Sequence, residues 1–321
     1  MRPVFHLWYW AAVGFALILI AACTMRSFHA RPTATPIAPQ GSPAATSRAF
    51  PSTATATALP ATITSIPHLE SRATASPSPT ASAKEDITLT ILYDNNPHDE
   101  RLRTAWGFAC LVQRGDLTLL FDTGGDAPTL LSNMATLGLD PADIDLVVLS
   151  HVHGDHVGGL DGLLALNKEL SVYLPSSFPD EFRERVKARA RVVDVRAPME
   201  IAEGIYTTGE MGDSIREQAL ALRTAQGLVV LTGCAHPGID RIVERAKEIT
   251  GSEIYLVMGG FHLSGTSSQR IGEIIAAFRQ WGVKQVAPCH CSGDLARRLF
   301  REAYGEACVL AGVGQVLKIK K

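Results

Sequence analysis

Ile87-Thr88-Leu89-Thr90-Ile91-Leu92-Tyr93 alternates apolar and polar side chains, the period-two pattern of a strand. Asp94-Asn95-Asn96-Pro97 breaks it. Two more strands are predicted over residues 106–112 and 117–121, joined by a turn at Arg114-Gly115-Asp116. Residues 127–137 suit a helix, and the branched apolar run at 146–149 returns to a sheet. A short helix is expected over 162–170, a strand end over 172–175 and a charged, partly amphipathic helix over 180–190. From Leu228 the alternation is regular. Strands at 228–232, 254–258 and 283–288 are each followed by a helix, at 239–249, 271–281 and 295–304. Ile239, Ile242, Val243, Ala246 and Ile249 give the first of these helices its apolar stripe. Leader strands followed by strands alternating with helices define an α/β fold, with helices covering the sheet faces.

The first 85 residues break this pattern, and the chain divides into three. Residues 1–23 read as a targeting segment: Arg2, an uncharged run from Leu7 to Ala22, then small residues before Cys23. Ile20-Ala21-Ala22-Cys23 resembles a bacterial lipobox, which makes Cys23 the expected lipidation site and the mature chain an extracytoplasmic, membrane-anchored lipoprotein. Residues 24–85 hold nine of the 18 prolines and one glycine, and are otherwise mostly Ala, Thr and Ser. Such a segment offers too little apolar surface to offset the entropy of ordering and is expected to be a semi-extended tether. Residues 86–321 fall within the size of one domain. The net charge of −2, without a basic block, argues against a nucleic-acid-binding surface. With Cys23 set aside, five of the six cysteines remain, an odd number that does not make a disulfide framework.

The chemistry concentrates in Ser150-His151-Val152-His153-Gly154-Asp155-His156-Val157-Gly158-Gly159. Three of the 10 histidines crowd into six residues, at the end of a predicted strand where α/β sheets bind ligands. In extended chain, residues two apart point the same way, so His151 and His153 can serve one metal ion. Asp155 and His156 follow a glycine, where the chain can turn, and can face a second ion. Imidazole and carboxylate suit Zn²⁺, as one ion or two, with Mn²⁺ and Fe²⁺ as alternatives.

His-x-His-x-Asp-His after a short apolar strand resembles the signature of the metallo-β-lactamase superfamily. Leu119-Leu120-Phe121-Asp122-Thr123-Gly124-Gly125 resembles its first motif. Leu231-Thr232-Gly233-Cys234-Ala235-His236-Pro237-Gly238, Gly259-Gly260-Phe261-His262-Leu263 and Pro288-Cys289-His290-Cys291-Ser292-Gly293 are similar to one subgroup. It is the one labelled 7,8-dihydropterin-6-methyl-4-(β-D-ribofuranosyl)aminobenzene 5′-phosphate synthase-like. The resemblance runs from about Leu89 to about Val316. It implies a four-layer αββα sandwich with a metal groove at one edge, between the two sheets. It also implies that Asp122 braces the ligands from behind, that His236 is a fifth ligand and His290 the last. The sequence departs from the broad superfamily at two places. Residues 204–210 hold no histidine where a Pro-Gly-His is expected, and Cys234 stands in place of a bridging aspartate. Cys234 is then either a soft ligand or a buried small hydrophobe. It can also form an oxidised pair with Cys289 or Cys291 outside the cytoplasm. His262 binds metal, holds a substrate anion or acts as an acid.

The function these readings imply is a membrane-tethered, metal-dependent hydrolase. Metal-bound water loses its proton near neutral pH, with Asp155 as its partner. A small phosphoester is the preferred substrate, and a lactone or other ester the second. Two rivals remain: a metal-containing surface lipoprotein that binds a ligand without turnover, and an iron-dependent redox member of the fold. Oligomeric state is open.

Overall fold

The computed structural model describes residues 86–320. The leader, the tether and lipidation at Cys23 lie outside the described residues. Among the described residues no helix is long and apolar enough to cross a membrane.

In chain order the elements are β1 (Ile87–Tyr93), β2 (Ala109–Arg114), β3 (Leu117–Phe121), α1 (Ala127–Thr136), β4 (Leu146–Val148), α2 (Gly154–Val157), α3 (Leu160–Leu166), β5 (Ser171–Pro175), α4 (Asp180–Lys187) and β6 (Arg191–Val195). Then follow β7 (Met199–Ala202), β8 (Ile205–Thr207), β9 (Leu220–Thr224), β10 (Gly227–Thr232), α5 (Ile239–Thr250), β11 (Ile254–Gly260), α6 (Ser268–Gln280), β12 (Gln285–Cys289), α7 (Asp294–Tyr304) and β13 (Val316–Ile319). They form two sheets, of order β13-β1-β2-β3-β4-β5-β6 and β12-β11-β10-β9-β8-β7.

Side-chain alternation decides how these sheets stack. Along β3, Leu119 and Phe121 face the second sheet, while Leu120 faces the helices. Along β10, Val229 and Leu231 face the first sheet, and Leu228 and Val230 turn to the other helical layer. Successive strand residues point to opposite faces, so strands buried on both faces read as continuous apolar runs. Leu130, Leu163 and Val186 of α1, α3 and α4 cover the first sheet. Ile242, Ile274 and Phe300 of α5, α6 and α7 cover the second. Each such side chain contributes about 1.5–3 kcal/mol on burial. The result is the αββα layering that the resemblance implied.

The structure corrects several boundaries. The second strand begins at Ala109, not at 106. Trp106 is 59% exposed, and the Phe108 N–H is spent on the carbonyl of Asp155 (3.1 Å) instead of a strand ladder. The helix expected over 180–190 stops at Lys187, and that expected over 162–170 runs from Leu160 to Leu166. Strands β6 to β9 and β13 were not anticipated. β7 and β8 have four and three residues, too few to show a period, and β6 and β13 carry exposed charged positions. The metal-motif segment is not wholly loop: Asp155 and His156 ride on the single turn α2. That turn packs hard against the loop after β3. A Cβ on Gly158 would sit 2.0 Å from the carbonyl oxygen of Gly125, so only glycine allows the approach.

Candidate metal centre

Parallel strands with side-by-side carboxy ends assemble the site. β3 and β4 are parallel neighbours, which sets Asp122 beside Ser150 and His151. β10, β11 and β12 are likewise parallel neighbours, and their ends deliver Cys234 and His236, His262, and His290 and Cys291. All these residues lie at the carboxy ends of strands, the usual ligand edge of an α/β sheet. Gln218 ties the sheets together there, its N–H donating to the Ser150 carbonyl (2.9 Å) and its amide to the Leu149 carbonyl (2.9 Å).

Three donor groups result, two of them built on the histidine motif. His151, His153 and His236 form one, each offering a ligand atom within 4.8 Å of the others. His151 Nε2 lies 3.1 Å from His153 Nδ1. The second comprises Asp155, His156, Cys234 and His290, within the same limit. Asp155 Oδ2 is 3.3 Å from His290 Nε2 and 3.6 Å from His156 Nε2, and His156 Nε2 is 3.2 Å from Cys234 Sγ. His262 stands at the exposed lip, its ring 4.3 Å from that of His236. The structure thus brings together all the candidate ligands and His262, whereas Cys289 joins none of the donor groups and Cys23 lies outside the described residues. It leaves Cys234 among the candidate ligands with a free thiol, and the five described cysteines form no disulfide.

The hydrogen bonds behind the ligands decide which nitrogens face inward. A carboxylate can only accept, so His156 Nδ1 donates to Asp122 Oδ2 (2.7 Å), which leaves the Nε2 lone pair for the site. Ser150 donates its N–H and its hydroxyl to the two oxygens of Asp122 (2.7 Å each). The hydroxyl, its proton committed, accepts from His151 Nδ1 (2.9 Å), which leaves the lone pair of His151 Nε2 on the side of His153 Nδ1 (3.1 Å). One buried aspartate therefore orients two imidazoles. His290 is held by Asn95, whose Oδ1 accepts from Nδ1 (3.1 Å), and by Asp94, whose Oδ2 accepts from its backbone N–H (3.1 Å). Such outer partners fix tautomer and ring orientation.

The electrostatics favour a free lone pair at two of these imidazoles and, without a cation, oppose it at His156. Burial and the surrounding imidazoles hold His151 well below the ordinary histidine range. Burial, His262 and His153 push His236 down to about 4. Both are neutral at physiological pH, with lone pairs available. Burial disfavours the charged form of Asp155, but its contacts with His290 and His156 outweigh that and hold its carboxyl below the ordinary carboxylate range. Burial likewise works against a charge on His156, but Asp122 reverses the balance and raises its pKa.

Glu217 was not anticipated. Fully buried, it accepts the backbone N–H groups of Cys234 (2.9 Å), Ala235 (2.8 Å) and His236 (2.8 Å), and so shapes the loop after β10. Burial pushes its pKa up to about 6. An acidic residue entering the apolar run of β9 is the one local sign in the sequence. Backbone strain also gathers here. The described non-glycine residues with left-handed φ are Asp122 (57°), Ala235 (62°), His262 (52°) and His290 (47°), all at this edge. Such conformations cost about 1–3 kcal/mol each and cluster at functional sites.

Replacing Asp122 by alanine should strip three buried donors of their acceptor. Hydrogen bonds to a charged group contribute about 1.5–3 kcal/mol each, so the loss should exceed about 3 kcal/mol in chemical unfolding. Metal affinity should fall about 10–100-fold by titration with a competing chelator. Unchanged affinity would remove Asp122 from any orienting role.

Cavity size alone would mislead. The larger cavity, about 450 Å³, lies at the amino ends of β3 and β4, lined by Asp116, Asp140, Asp143 and Asp145, and has no histidine or cysteine. A cavity of about 200 Å³ adjoins His290 instead, walled by Trp106, Asn95, Asn96, Ser264 and Arg297.

The family described as "Metallo-beta-lactamase superfamily" matches residues 107–233. The 7,8-dihydropterin-6-methyl-4-(β-D-ribofuranosyl)-aminobenzene-5′-phosphate synthase of Methanocaldococcus jannaschii is 32% identical over 246 residues, covering 62% of this chain and 84% of that protein. Among solved structures, Tm1679, a metal-dependent hydrolase of the β-lactamase superfamily, is similar with a TM-score of 0.61 at 29% identity, over 73% of this chain and all (100%) of that one. The metallo-β-lactamase fold protein YhfI from Bacillus subtilis gives 0.56 at 17% identity, with the same 73% and 100% coverage, and speaks for the fold alone.

Proposed function

Because the chain belongs to the metallo-β-lactamase superfamily, we propose that it is a metal-dependent hydrolase acting on a small phosphorylated substrate. The observation that carries this reading is the pair of adjoining donor groups, one of three imidazoles and one of two imidazoles, a carboxylate and a thiol. Their fit to metal is supported by His236 Nε2 and His290 Nε2. Both are buried without a well-formed hydrogen bond, the second with only the Asp155 carboxylate at 3.3 Å, although buried polar atoms are nearly always paired. His151, His153 and His236 would hold one ion, and Asp155, His156, Cys234 and His290 another. Nitrogen, oxygen and sulfur donors together favour Zn²⁺, with Mn²⁺ and Fe²⁺ as alternatives. Ions bound there supply Lewis acidity and make water nucleophilic near neutral pH.

The chain's own residues do the rest. Asp155 is the one carboxylate among the donors and lies 3.3 and 3.6 Å from two of the imidazoles, so it is placed to orient attacking water and take up its proton. Trp106, exposed and with its ring 5.0 Å from that of His290, offers a face for the organic part of the substrate. Two neighbouring metal positions suit phosphoryl chemistry, because the attacking and the leaving oxygen can each be held. The M. jannaschii relative, whose name carries a 5′-phosphate, supports the same substrate class.

The test is hydrolysis by the full chain, loaded with Zn²⁺ or Mn²⁺, of bis-p-nitrophenyl phosphate, a phosphomonoester and a lactone. Phosphodiester turnover that a chelator abolishes is the expected result. Turnover of the lactone alone would overturn the substrate class. No turnover on any of the three with metal bound would favour a ligand-binding role. The proposal extends to attachment: with lipidated Cys23, the protein acts at a membrane surface outside the cytoplasm. Cys23→Ser should yield a heavier, uncleaved precursor by mass spectrometry. An unchanged mature mass would dismiss the lipobox reading.

A further inference from the structure

A third group of donors lies in this groove, and the hydrolytic reading uses only one of its members, Cys234. β10, β11 and β12 are consecutive parallel strands. They end at Thr232, Gly260 and Cys289. Two residues beyond each end stand Cys234, His262 and Cys291. Neighbouring strands run about 4.8 Å apart, so three equal offsets place three side chains abreast. Their ligand atoms indeed fall within 4.8 Å of one another.

We propose that Cys234, His262 and Cys291 form a third metal position, for a soft ion, with the Cys234 sulfur shared between it and the neighbouring donor group. The inference does not depend on the substrate assigned above.

Three features support it. The cysteines are free thiols and buried. His262 adopts a left-handed backbone (φ 52°), which a β-carbon disfavours and which sets its imidazole at the lip beside Cys291. Gly260 gives the sulfur its room: a Cβ there would come within 2.8 Å of Cys291 Sγ and 3.1 Å of His290 Cδ2. Two thiolates and an imidazole are soft to intermediate donors, which select zinc, copper(I) or iron over magnesium and calcium. A thiolate has more than one lone pair, so Cys234 Sγ, 3.2 Å from His156 Nε2, can serve both positions. Three protein donors leave a tetrahedral ion one open site, and exposed His262 sets it at the mouth of the groove.

The full chain, purified under reducing conditions, is saturated with Zn²⁺ and its ions counted by native mass spectrometry. Parallel samples take Co²⁺ as the probe of sulfur ligation. Wild type should bind three Zn²⁺ per chain, one for each donor group. Cys291→Ser and His262→Asn should each lose one ion and keep the others. Asparagine tolerates left-handed backbone, so His262→Asn separates loss of a donor from loss of the fold. The near-ultraviolet thiolate-to-cobalt absorption should fall in Cys291→Ser. Two ions in wild type, or a cobalt band indifferent to Cys291→Ser, would overturn the proposal. So would an intact mass short of two hydrogens with Cys234 and Cys291 joined.

Discussion

The full chain carrying His151→Ala and His153→Ala together is expected to lose the ion held by the three-imidazole group and essentially all metal-dependent hydrolysis. His151 and His153 supply two of that group's three donors, which leaves His236 alone. Removing an outer partner of a metal ligand costs about 10–100-fold in affinity, and removing two ligands should exceed that range. A stability effect is expected beside it and must be separated. His151 is fully buried, and its Nδ1 bonds Ser150, so truncation opens a small cavity and costs a hydrogen bond. His153 is only half-buried, so His153→Ala alone should melt close to wild type in the metal-free state while still losing metal. Ion counts by elemental analysis, taken with circular-dichroism melts of chelator-treated protein, divide the two effects. Full occupancy in the double variant would remove the three-imidazole group from the site.

What the sequence disclosed depends on how far apart the cooperating residues lie. His151, His153, Asp155 and His156 are local, and the strand-end spacing that groups them is readable as pattern. β1, β3, β10 and α5 were equally legible, because both of their faces or one clear stripe are apolar. The supporting residues were not. Glu217 acts on Cys234 from 17 positions away and Asp94 on His290 from 196, contacts that exist only once the sheets have stacked. Ser150 stood in view beside His151, yet its link to Asp122 requires β3 and β4 to be parallel neighbours. The equal offsets of Cys234, His262 and Cys291 likewise mean nothing until β12, β11 and β10 are known to be adjacent. Short strands β7 and β8 take their identity from their partners and not from their own side chains.

Asp155→Asn should lower the rate of phosphodiester hydrolysis by more than about 100-fold, the low end for loss of general acid–base help. The substitution keeps the side chain's size and removes its charge and its capacity to take a proton. The fold should not register it. The Asp155 side chain is 22% exposed, and the contact that anchors this turn to the residue before β2 is made by its backbone carbonyl, which accepts from the Phe108 N–H. The site should register it strongly, because Asp155 Oδ2 lies against both His156 and His290 and no other carboxylate joins either hydrolytic donor group. Two roles for the carboxylate predict different readouts. As a ligand only, its loss should lower the ion count, and excess metal should restore the rate. As a proton acceptor, its loss should leave the rate low at full occupancy at every pH. Wild type and variant are therefore compared across pH with metal counted in every sample. Equal rates at equal occupancy would exclude Asp155 from the chemistry and leave the imidazoles and Cys234 to account for any turnover.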